Sequence, residues 1–144
     1  MERADKERME WKPALLAGLI AGAVLLIIPR GSPWSYLTFF SPVIMGRNLP
    51  TGVSLPLPVI WIIHLAVAEV YGLIISRLLV GVTQGRAILL GGAIGAVLYL
   101  INLGLVSAIW PAWRGAEAVV FFTHVVFGLI AGGAYRGWLR KGSY

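Results

Sequence analysis

AILLGGAIGAVLYLINLGLVSAI, residues 87–109, runs for 23 positions without a charged side chain. At about 1.5 Å rise per residue, a helix of that length covers a hydrocarbon core of about 30 Å. The stretch reads as a transmembrane helix, with Asn102 as its most polar member. Three further apolar runs lie at residues 13–28, 58–80 and 118–135. The first and last are short for a span, but Trp11 precedes one and Trp138 follows the other. Interfacial tryptophans of this kind let a short helix reach both headgroup layers with little tilt or modest thinning.

The composition agrees with this reading. Of the 144 residues 58% are apolar and 12% charged, against about 45–50% and about 25% in a soluble domain. A soluble globule is excluded. The 18 Gly and 8 Pro are scattered among aliphatic runs, which excludes collagen and low-complexity disorder. With no cysteine in the chain, disulfides, thiolate metal sites, iron–sulfur clusters and Cys nucleophiles are excluded. The net charge of +6 comes from Lys and Arg placed between the apolar runs, not gathered on one aromatic-bearing face. This placement points to membrane topology and away from nucleic acid. The expected architecture is all-α, a single transmembrane domain over residues 1–144 formed by a bundle of four transmembrane helices.

Orientation follows from Lys and Arg alone. Arg3, Lys6, Arg8, Lys12, Arg77, Arg86, Arg136, Arg140 and Lys141 share one side, and Arg30, Arg47 and Arg114 the other, so both termini are expected in the cytoplasm. Trp11 and Trp138 then fall at the inner interface, and Trp34, Trp61, Trp110 and Trp113 at or near the outer one. The first run is expected to stay as a span and not to be cleaved as a signal peptide. Its charged start mixes Glu2, Asp5, Glu7 and Glu10 with basic residues, and residues 29–33 offer no small-residue cleavage pattern.

Short connections around Thr83-Gln84-Gly85 and from Pro111 to Glu117 imply that spans two and three, and three and four, are antiparallel neighbours. The outer connection between spans one and two is long. With five prolines and the run Tyr36-Leu37-Thr38-Phe39-Phe40, it is expected to be ordered on the outer leaflet or the helix ends, or to dock a partner. Gly18 and Gly22 with Ala23-Val24 echo Gly91 and Gly95 with Ala96-Val97. Val70-Tyr71-Gly72-Leu73-Ile74 likewise echoes Val126-Phe127-Gly128-Leu129-Ile130. Such echoes fit a duplicated hairpin, which would be a parallel repeat. The four glycines Gly18, Gly22, Gly91 and Gly95 read as close helix-packing faces, within the bundle or with a partner helix.

His64 and His124 each lie six residues into an inward-running span, at matched depth. They are candidate ligands of a b-type haem or a metal, with Ala68, Gly128 and Ala131 offering a gap for the macrocycle. The competing reading has them hydrogen-bonded to neighbouring helices. Glu69 lies near the middle of span two, where a charge costs roughly 2.5–3.5 kcal/mol on insertion scales. It points about 140° from His64, and its partner is Asn102, a water or a polar group of another subunit. Its own face carries Leu65, Gly72 and Ser76. A proton or cation path is the functional alternative for this carboxylate. The chain has no phosphate loop, no Ser-His-Asp set, no paired carboxylates and no HExxH-type metal motif.

Ser32-Pro33-Trp34, residues 46–50, His64 with Tyr71-Gly72, Leu98-Tyr99-Leu100-Ile101-Asn102 and His124-Val125-Val126-Phe127-Gly128-Leu129 together resemble a family of small bacterial four-span membrane proteins of unknown function. Some of its members carry a loose sodium:proline symporter label. The resemblance covers most of the chain and implies a multi-pass protein of the bacterial inner membrane. Glu69 stands where the resemblance leads one to expect a small or apolar residue. A symporter site needs broken helices across inverted repeats, which four spans with a parallel repeat do not supply. The expected role is therefore a non-catalytic accessory or assembly subunit of a larger inner-membrane complex, respiratory or electron-transfer complexes included. Its partners would be the lipid bilayer and other membrane subunits or copies of itself, with no cofactor and no metal. The alternatives are a small cytochrome holding haem b between His64 and His124, and an oligomeric transporter or channel.

Overall fold

A computed structural model describes residues 8–27, 40–41, 44–45, 57–109 and 117–141. Helix α1 spans Trp11–Ile27, strands β1 and β2 span Phe40–Ser41 and Ile44–Met45, and helices α2, α3 and α4 span Leu57–Leu78, Gln84–Ile109 and Glu117–Lys141. One helix falls on each of the four expected spans, the second ending at Leu78. Three of the helices are long and apolar enough to cross a membrane, over residues 61–78, 84–105 and 120–139, while α1 is a shorter apolar helix of 17 residues.

Local chemistry sets the helix ends. Pro13 falls in the first turn of α1, where its missing N–H has no intrahelical acceptor to lose, and Pro58 does the same in α2. The end of α2 is turned by Gly81, whose φ of 76° lies in the left-handed region that glycine enters without a steric cost. Thr83 then opens α3, its carbonyl accepting the Ala87 amide at 2.8 Å.

In lipid, helices gain little from hiding apolar surface and associate where small side chains let backbones approach. The described core follows that rule. Ala14, Ala17, Ala21, Ala87 and Ala131 are completely buried, beside Ile75, Leu79 and Tyr135. Helix α4 is central, packing on α3 along one side and on α1 along the other, and α1 also packs on α2. The connection at residues 79–83 had implied that α2 and α3 are close neighbours, yet they touch little. Loop length brings their ends together, but the small-residue seams that decide packing lie on α1 against α2 and on α3 against α4.

Those seams place the four expected packing glycines inside the chain. A methyl group at Gly72 would strike the backbone of Gly18, and one at Gly22 would stand 2.6 Å from the Ala68 Cβ. A methyl at Gly91 would strike the Gly128 carbonyl, and one at Gly95 the His124 carbonyl. Gly18 and Gly91 occupy equivalent positions in the sequence echo, as do Gly72 and Gly128, so the two hairpins make the same glycine contact at equivalent residues.

The β1–β2 pair is antiparallel, with Phe40 opposite Met45 and Ser41 opposite Ile44, and β1 touches α2. It is the described part of the connection between α1 and α2. The Ser32-Pro33-Trp34 and 46–50 motifs, Trp110 and Trp113 lie outside the described residues. Trp11, Trp61 and Trp138 are all exposed on the helix surfaces.

Candidate functional site

Three helices bring a buried polar chain together. The Tyr71 hydroxyl of α2 donates to Asn102 Oδ1 of α3 at 2.5 Å. Asn102 Nδ2 donates to His124 Nε2 of α4 at 2.7 Å, and His124 Nδ1 donates to the Val120 carbonyl at 2.8 Å. Each link fixes the next. The carbonyl can only accept, so Nδ1 carries the proton, Nε2 presents its lone pair, and the amide orients with nitrogen toward the ring. Tyr71 and Tyr99 flank the imidazole, with ring centroids 6.1 and 5.8 Å from it.

The α3–α4 seam explains why this chain closes. Gly95 allows α3 to pass directly over the His124 backbone, and Asn102 follows two turns along the same helix. Asn102 stands seven residues before the end of α3 and His124 seven after the start of α4. That places them at one level of the hairpin.

His64 makes a different bond, its Nε2 donating to the Gly22 carbonyl of α1 at 3.1 Å. Both histidines line one cavity of about 20 Å³, together with Leu25, Val67, Ala68, Tyr71, Thr123 and Phe127. A water needs about 10–15 Å³ and several polar partners, so the cavity suits one water. The gap expected for a macrocycle is not formed. Ala68 lines the cavity, but Gly128 is turned toward Gly91 and Ala131 is sealed in the core. The space that the two histidines share on α2 and α4 is this small cavity, with both imidazoles turned to partners on other residues. Among the described residues no three His, Asp or Glu side chains group as a metal site.

Glu69 stands apart from this site. Asn102, one of its expected partners, is engaged by Tyr71 and His124 instead. The carboxyl lies against α1, where a methyl at Gly18 would stand 3.1 Å from Oε2. That oxygen is sealed and has no hydrogen-bond partner among the described residues, and neither has Ser76 Oγ two turns along the same face. Glu69 as a whole is only half-buried. The α1–α2 half of the bundle thus holds unsatisfied polar atoms, whereas the α3–α4 half is closed by its hydrogen bonds.

The residue that sequence reasoning missed as a site member is Tyr71. A tyrosine deep in an apolar span requires a partner for its hydroxyl, and Asn102 supplies it. Fold and site define a class: an all-helical bundle, three of its helices long and apolar enough to cross a membrane, fastened by a buried Tyr–Asn–His chain. No protein-family model, no curated protein and no solved structure matches this sequence.

Proposed function

We propose that this protein is a non-catalytic accessory or assembly subunit of the bacterial inner membrane, with both termini cytoplasmic, which binds another membrane chain or its own copies through the α1–α2 face at Glu69. One observation carries the reading: a carboxyl at the middle of the 61–78 span has one oxygen sealed against α1, while the residue keeps part of its surface open toward the outside of the bundle. An ionisable group in lipid is expensive and is retained where it has a role. A hydrogen-bonding group from a helix of another chain, meeting the open side of the carboxyl, would relieve that cost.

The histidines support the same reading. His124 is occupied by Asn102 and Val120, and His64 by Gly22, so both serve to hold helices together. A haem between them would require the helices to separate and break these bonds. A transporter would require a polar path, and the hydrogen-bonded groups Tyr71, Asn102 and His124 are tethered to one another across the bundle.

The test is a photoreactive side chain at Val70, which is 54% exposed beside Glu69. In native membranes it should cross-link to a second polypeptide, and the same probe at Leu89 on the outer face of α3, 72% exposed, should capture only lipid. Lipid adducts alone at both positions would contradict the reading.

A further inference from the structure

At the end of the bundle where α1 begins and α2 finishes, an open groove of about 630 Å³ is lined by Arg8, Met9, Trp11, Leu73, Ile74, Arg77 and Leu78. Its composition is graded with depth. Arg8 and Trp11 come from the start of α1, and Arg77 from the last turn of α2. Leu73 and Ile74 lie four and three residues earlier on α2, about 4.5–6 Å further along the helix axis. No acidic side chain belongs to the described lining, and Arg8, Trp11, Ile74, Arg77 and Leu78 are all exposed.

We infer that this groove binds one anionic phospholipid, its phosphate held between Arg8 and Arg77 and an acyl chain laid along Leu73 and Ile74. Charge complementarity supplies the occupant. Two guanidinium groups present forked donors that match phosphate oxygens, and Trp11 is the side chain that settles at headgroup level. The apolar wall below the arginines distinguishes a lipid from a free anion, because a free phosphate has nothing to place against Leu73 and Ile74. A cationic pocket at a helix end with an apolar floor is the arrangement that selects anionic headgroups. Both arginines also belong to the side to which the Lys and Arg pattern assigns the cytoplasm. The inference does not rest on Glu69, which lies one turn beyond Leu73 on α2 and outside the groove lining.

Native mass spectrometry of the detergent-solubilised chain, titrated with phosphatidylglycerol and separately with phosphatidylcholine, tests it. The expected result is roughly a 10- to 30-fold preference for phosphatidylglycerol. Combining Arg8→Ala with Arg77→Ala should reduce the preference to within about twofold, while Arg86→Ala, an exposed arginine outside the groove, should leave it in place. Both groove arginines are exposed, so circular dichroism should show unchanged helicity in the double variant. Should that variant fail to fold, competition on the unaltered chain decides: 10-fold excess inorganic phosphate should displace little lipid. A preference that survives the double substitution, no preference at all, or full displacement by inorganic phosphate would overturn the inference.

Discussion

Asn102 Nδ2 approaches His124 Nε2 to 2.7 Å, and this single bond ties α3 to α4 while Asn102 Oδ1 holds Tyr71 of α2. The donor order requires His124 to be neutral and protonated on Nδ1. Nitrogen-15 correlation spectra of ring-labelled protein should show that tautomer. Asn102→Leu should lower stability by about 1–2 kcal/mol, since intramembrane hydrogen bonds average less than their aqueous desolvation suggests. A double-mutant cycle with His124→Ala should return a coupling of roughly 0.6–1.7 kcal/mol. Signals from an Nε2-protonated ring would contradict the arrangement.

Glycine substitutions should divide sharply by position. Gly91→Ala and Gly128→Ala place a methyl group on an opposing carbonyl, so each should force α3 and α4 apart and cost about 1–3 kcal/mol or more. Gly104→Ala meets nothing within 4 Å and should be neutral or stabilising by up to about 1 kcal/mol through helix propensity. Thermal melts in one detergent compare the three. Gly18→Leu and Gly22→Leu should likewise damage the fold itself, because those glycines contact α2 of the same chain.

The spans were legible in the sequence because a charge-free apolar run of about 20 residues has few other uses. The packing partners were harder to read. Beyond Lys12 the surface of α1 is apolar all round, so polarity marks no inward face, and only the alternation of Ala and Gly with Leu distinguishes one side. The histidines were recognised as site residues, but their partners were not, since depth along a helix says nothing of rotation about it. Asn102 illustrates the point: it is one of three candidate partners for Glu69 in the sequence, and backbone closeness at Gly95 gives it to His124.

The positive-inside pattern can be tested by reporter fusions. A fusion after Tyr144 should report a cytoplasmic location, and one within residues 46–56 an external one. An external C-terminus would contradict the orientation.

Haem loading tests the tight packing around the two histidines. Protein expressed with added haem and purified in mild detergent should show no low-spin b-type spectrum, because the space between His64 and His124 suits one water. A stoichiometric spectrum abolished by His64→Ala or His124→Ala would require the helices to open and would restore the cytochrome reading.

Glu69 tests the assembly role most directly. The measurement is the mass of the native complex by light scattering in the mildest effective detergent, for the unaltered chain, Glu69→Gln and Glu69→Leu. The unaltered chain is expected in a complex well above its own 15.6 kDa. Gln, which can still donate and accept, should retain much of that complex, and Leu should release a folded monomer. A unaltered chain that is already monomeric, or a Leu variant whose complex is unchanged in mass, would contradict the claim.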